Sequence, residues 1–140
     1  MNVYKSKYTR LPGSAYDEVA PLARKEYQRV KKLTKRQPYV RSVYFTKDKV
    51  FLSLFWEHLA QKHRGEKVAR LKFYTCALDL LRHSPHTPDT IFDSNNLNIL
   101  LHRFSGETKD GILFYVQVKH NKRTGRKDFI SVFPKGKGQK

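Results

Sequence analysis

A handful of residues in this 140-residue chain could break a phosphodiester without a metal: His58, His63, His102, Arg103, Tyr115, Lys119, His120 and Ser131. RNA carries its own nucleophile, the 2′-hydroxyl, so cleavage needs only a general base, a general acid and cations at the developing phosphorane. Histidine suits the first two roles near neutral pH, and arginine grips phosphate oxygens through its planar fork. A serine or tyrosine hydroxyl supplies further hydrogen bonds. Metal chemistry has less to stand on. The six histidines form no HExxH or comparable ligand set, and the acidic residues are scattered rather than clustered for magnesium. No phosphate-cradling Gly-rich loop and no GxSxG elbow is present, so neither a metal nor a cofactor is expected.

Spacing thins the set. His58 lies four residues beyond Leu54 and His63 four beyond Leu59, so on a helix both extend rows that begin on the apolar face. Each then emerges toward the helix C-terminal end, whose partial negative charge favours a protonated imidazole, mostly for His63. Alternation along a strand places His102 and Arg103 on opposite faces, so at most one reaches a shared site. Ser131 is expected to face the same way as Phe129 and Phe133. Each choice has a plain rival: a surface histidine on a basic helix, a hydrogen-bonded core serine, an arginine locked to an internal carboxylate. Arg103, a charge within "LLHRF", is the least expected residue in the chain, because a half-buried guanidinium must find an anion. His83, His86 and His120 flank turns, and Trp56 reads as core.

The elements that must carry these residues divide at about residue 85. Residues 1–15, with a Pro-Gly turn signal, read as an arm or loop. A basic helix is expected from Pro21 to about Arg36, since proline is tolerated in a first turn. "RSVYF" (Arg41–Phe45) reads as a short strand. Thr46 or Asp48 then caps a helix to about Arg64, with Val50, Phe51, Leu54, Phe55 and Leu59 at helical spacing. Gly65 separates it from a further helix, Glu66 to about His83, and "HSPHTPDTIFDSNN" reads as loop. Beyond it the period becomes two, giving strands over Asn98–Phe104, Gly111–Lys119 and Lys127–Pro134 joined by glycine-containing hairpins. Helices followed by a meander predict an α+β fold, with N-terminal helices packed on a small C-terminal antiparallel sheet. The expected organisation is a basic arm and helix over 1–40, an α+β domain over 41–134 and a basic flexible tail over 135–140.

The net charge of +17 is unevenly placed. Residues 1–42 carry +8 and residues 119–140 carry +7, while residues 43–118 carry only +2. Such flanks attract polyanions, nucleic acid above all, with an acidic protein as a competing partner. Lys31, Lys32, Lys35, Arg36, Lys119, Lys122, Arg123, Arg126 and Lys127 are the expected RNA contacts. Cys76 is the only cysteine, which excludes an internal disulfide and fits a reducing cytoplasm. No apolar run reaches signal-peptide or membrane-spanning length, so no membrane partner is expected; export as an effector stays open.

The order of elements over Arg41–Pro134, with "WEH" and "KH" on a helix, "HRF" on a strand and "FISVFP" on the last strand, resembles the phage-type branch of the barnase–EndoU–colicin–RelE (BECR) superfamily. That resemblance implies a metal-independent, toxin-like endoribonuclease that forms a cyclic phosphate. By the same resemblance the family's helix Trp and His fall on Trp56 and His58, with a second His on His63. Its strand-borne basic residue falls on Arg103, with His102 as the alternative, and its last-strand hydroxyl on Ser131. The implied partners are RNA, such as tRNA or ribosome-bound rRNA or mRNA, and an acidic antitoxin or immunity protein. A non-catalytic RNA- or DNA-binding protein and a phage or virion assembly component are the competing functions.

Overall fold

The chain's structure, a computed structural model that describes residues 2–136, runs β1 (Tyr4–Lys5), α1 (Tyr16–Leu33), β2 (Tyr39–Ser42), β3 (Asp48–Phe51), α2 (Ser53–Ala60), α3 (Arg64–Leu71) and α4 (Tyr74–His83). It continues with β4 (Asp89–Asp93), β5 (Asn96–Glu107), β6 (Leu113–Asn121) and β7 (Lys127–Pro134). All the strands join one mostly antiparallel sheet in the order β1-β5-β6-β7-β3-β2, with β4 also pairing β5. The α+β class and the C-terminal meander match the expectation. Residues 137–140, most of the expected tail, lie outside the described residues.

Alternation along β5–β7 sets up two faces. Phe104, Phe114, Val116, Val118, Phe129 and Val132 are buried and turn toward the helices. Phe55 of α2 stacks on Phe129 at 4.7 Å, and Phe73, just before α4, stacks on Phe114 at 5.3 Å. Burial of each such side chain contributes about 1.5–3 kcal/mol relative to exposure. Gly106 belongs to this inner face because only hydrogen fits there: a Cβ would lie 2.5 Å from the Phe114 ring and 2.8 Å from Leu80 of α4. Gly106→Ala is therefore expected to cost about 1–3 kcal/mol through overpacking, seen as a lowered urea midpoint with an unchanged slope.

Several expected elements are corrected. Val50 and Phe51 belong to a strand, not a helix: β2 and β3 form a hairpin in which Ser42 pairs with Asp48. Thr46 and Lys47, at φ of 58° and 65°, make the turn instead of capping a helix, and Lys47 N–H donates to the Ser42 carbonyl at 2.7 Å. The helix that follows is short, Ser53–Ala60, and the break falls at Gln61–His63 rather than at Gly65, which lies within α3. The expected Glu66–His83 helix is two, interrupted at Lys72 and Phe73. The basic helix begins at Tyr16, five residues before Pro21, because the Glu18 carboxylate reaches back to accept from the Ser14 and Ala15 N–H groups. Those two bonds also hold Glu18 below the usual carboxylate range.

The segment before α1 is not a loose arm. Tyr4 and Lys5 pair in parallel with Gly106 and Glu107. Buried Asp79 of α4 accepts from the Ser6 hydroxyl at 2.8 Å and from the Lys7 N–H at 3.2 Å. Val19, Ala20, Ala23 and Val30 of α1 enter the same hydrophobic cluster as the sheet. Residues 89–93, expected as loop, form an antiparallel edge strand on β5, with Ile91 and Phe92 left exposed. Among the described residues no helix is long and apolar enough to cross a membrane.

Candidate functional site

The sheet face turned away from the core carries the polar residues of the meander. Arg103 of β5 pairs with Gln117 of β6, and Gln117 with Ser131 of β7, so the three stand in one row across the sheet. The next row is Ser105, Tyr115 and Phe133. Two inter-strand steps separate the backbones of Arg103 and Ser131 by roughly 10 Å. The common face depends on an irregularity: Gln117 pairs with Ser131 but Val118 pairs with Phe129, which leaves Ile130 as an extra residue. Ser131 thus faces with Phe133 and opposite to Phe129, against the simple alternation expected.

Arg103 is half-buried, and its guanidinium lies over the Tyr115 ring at 5.0 Å and the Phe133 ring at 5.9 Å. Asp89 of β4 stands opposite it in the sheet, but no carboxylate lies within ion-pair distance of it among the described residues. A second guanidinium reaches the same place from α3. Arg70 Nη1 donates to Ser131 Oγ, the Arg70 guanidinium lies 5.4 Å from the Phe133 ring centre, and Nη2 donates to Glu66 Oε2 at 2.9 Å. The bond from Arg70 is the main reason Glu66 sits below the usual carboxylate range; partial desolvation opposes it, and the Arg70, Lys62 and His63 charges add to it. Arg70 and Glu66 escaped the sequence reading, although their i, i+4 spacing on "GEKVARL" is the signal that could have found them.

The helix histidines stand outside this row. His58 is exposed on the last turn of α2. His63 sits at the N-terminus of α3, as its N-cap, and not at the expected helix C-terminus. Its Nδ1 accepts from the Glu66 N–H at 3.3 Å, and its Nε2 lies 3.9 Å from Glu66 Oε1. His63 is thereby linked through Glu66 and Arg70 to Ser131 without touching it. His102 turns to the inner face, as alternation required. There its Nε2 meets His120 Nδ1 at 3.0 Å and its Nδ1 meets the Thr90 hydroxyl at 2.7 Å.

The expected RNA contacts separate by placement. Lys31, Lys32, Lys35 and Arg36 are exposed at the end of α1, and Lys122, Arg123 and Arg126 at the β6–β7 hairpin. Lys119 is half-exposed on the open face, opposite Asp128. Lys127 is corrected: it is buried, donates to Asp48 at 2.7 Å and to the Gly125 carbonyl at 3.0 Å, and is not presented to a polyanion. Among the described residues no group of three or more His, Cys, Asp or Glu is placed to hold a metal ion. Comparison of the chain with protein-family models, with curated proteins and with solved structures finds no match.

Proposed function

We propose that this protein is a metal-independent endoribonuclease that holds RNA on the open face of the sheet. The 2′-hydroxyl attacks the adjacent phosphorus, leaving a cyclic phosphate and a free 5′-hydroxyl, the reaction type that the resemblance to BECR RNases implies. One observation carries the reading: Arg103 is half-buried, stacked on two aromatic rings and paired with no carboxylate among the described residues, in the row that ends at Ser131 and Arg70. A partly desolvated cation without an anion is completed when one arrives, and phosphate fits the guanidinium fork.

Arg103 and Arg70 flank the place where negative charge develops, which is the arrangement that stabilises a phosphorane. Ser131 accepts from Arg70, so its own hydroxyl proton is free for a phosphate oxygen. Glu66, held ionised by Arg70, takes the proton of the 2′-hydroxyl, and His63 beside it returns one to the leaving oxygen. His58 has no role in this scheme. The basic surface holds the rest of the RNA in the cytoplasm, and an acidic antitoxin or immunity protein would neutralise the protein by covering this face.

Purified protein incubated with total RNA in EDTA tests the reading. Fragments ending in cyclic phosphate are expected, with none from a 2′-O-methylated copy of the same RNA. Intact RNA after incubation both alone and with ribosomes would overturn it. A second reading, RNA binding without turnover, is favoured by one specific fact: no imidazole touches Arg103, Arg70 or Ser131 among the described residues. Its signature is affinity that falls steeply with salt and no product at any time.

A further inference from the structure

The basic flanks, far apart in sequence, meet at one cavity. It has a volume of about 990 Å³ and lies between the end of α1 and the β2–β3–β7 edge, lined by Lys35, Arg36, Tyr39, Lys49, Phe51 and Arg126. Arg126 from the β6–β7 hairpin closes the gap by donating through Nη2 to Gln37 Oε1 at 2.8 Å, across 89 residues of sequence. Its guanidinium is fixed on every side but one. It stacks on Phe51 at 4.2 Å, its Nε donates to both Asp128 oxygens at 3.2 Å, and its side chain stays 43% exposed. Tyr39 stands edge-on to Phe51 at 6.0 Å, with the Lys49 ammonium 4.8 Å from its ring centre.

We infer that this cavity is a second subsite, which binds a nucleotide of a single-stranded RNA beside the cleavage row. Asp128 already neutralises Arg126, so that residue brings little free charge; it offers a rigid, flat cationic surface on which a base can stack. Free positive charge comes from Lys35, Arg36 and Lys49, none of which pairs with a carboxylate among the described residues. Stacking platform and phosphate-reaching cations together are what single-strand recognition requires, whereas an acidic peptide needs only the cations. The cavity borders the same strand as the row. Phe51, which lines it, and Lys119 of the open face both pair with Asp128, three positions before Ser131 on β7, so a single strand laid along β7 from Ser131 leads toward it.

This inference rests on the reading of RNA as the ligand, and the test separates the two. A short, labelled, 2′-O-methyl single strand of mixed sequence, which cannot be cleaved, is titrated into the full chain in EDTA by fluorescence anisotropy. Arg126→Lys keeps the charge but loses the plane, and is expected to weaken single-strand binding roughly tenfold while leaving duplex binding unchanged. Lys35→Ala with Arg36→Ala is expected to weaken both and to flatten the log–log salt dependence by about 1.4, or 0.7 per charge. Wild-type affinity for the single strand in both variants would overturn the subsite. Equal binding of polyglutamate by wild type and Arg126→Lys, at the affinity of the oligonucleotide, would also overturn it in favour of an acidic protein. Loss of cavity binding in a protein that still cleaves RNA, or the converse, shows which of the two proposals stands.

Discussion

Arg103→Ala is expected to lower the rate of RNA cleavage about 100- to 1000-fold while leaving the protein folded. The magnitude is the one that removing a single donor at developing charge ordinarily costs. The stability half follows from the surroundings. Arg103 makes no ion pair among the described residues, and the acid opposite it in the sheet, Asp89, is exposed, so its loss strands no buried carboxylate; it gives up its stacking on Tyr115 and Phe133. Arg103→Lys should recover part of the rate, because the charge returns without the bidentate fork. Single-turnover kinetics in EDTA, beside a urea melt of each variant, separate a chemical from a structural effect. If Arg103→Ala cleaves at the wild-type rate, the reaction does not occur on this face.

Acid is expected to weaken the fold through a different group. Burial pushes the His102 imidazole down to about 4, and the neighbouring His120 and Lys127 charges push the same way. His120 is lowered as well, first by burial and then by Lys127, with Asp48 opposing. The unfolded chain takes up a proton at these rings near pH 6.5, while native His102 stays neutral until about pH 4. Between those values the unfolded state holds more protons, so stability falls as pH falls through the window. The loss reaches on the order of 3 kcal/mol and levels off below it. Urea unfolding from pH 7.5 down to 4 should show that slope, and His102→Asn should flatten it. A wild-type stability that does not change over this range would mean the pair is accessible to water.

Much of the fold could be read from residue order alone, and the failures have physical causes. The meander is legible because buried and part-buried residues alternate over β6, and β7 is rich in β-branched and aromatic residues, with glycine in each connection. Val50, Phe51, Leu54 and Phe55 mislead because two strand residues followed by a helix can carry the same apolar spacing as one continuous helix. The turn at Thr46 and Lys47 gives no warning, since left-handed backbone is ordinarily left to glycine or asparagine. β1 is held by two long-range parallel partners and by Asp79, and no local pattern announces either. β4 stays hidden because its apolar residues are exposed.

The candidate site divides along the same line. The opposition of His102 and Arg103 needs nothing beyond strand alternation, and it is seen in the structure. The positions of His58 and His63 depended on one long helix, and once the chain breaks at Gln61 His63 moves from the tail of one helix to the head of the next. Arg70 and Glu66 have only their i, i+4 spacing to announce them, and it is the packing of α3 that brings Arg70 to Ser131.

The surplus residue at Ile130 makes the last strand a two-part device. Its first half is phased to the hydrophobic interior through Phe129, and its second half is phased half a turn later. Without that offset the strand would keep one phase throughout, sending the serine inward among aromatic rings and Val132 out to water. The row that ends at Ser131 and the packed interior therefore both depend on how the surplus residue is absorbed. Removing Ile130 would keep Phe129 inward and Ser131 outward in plain alternation, whereas straightening the strand with Ile130 kept would invert every side chain after it.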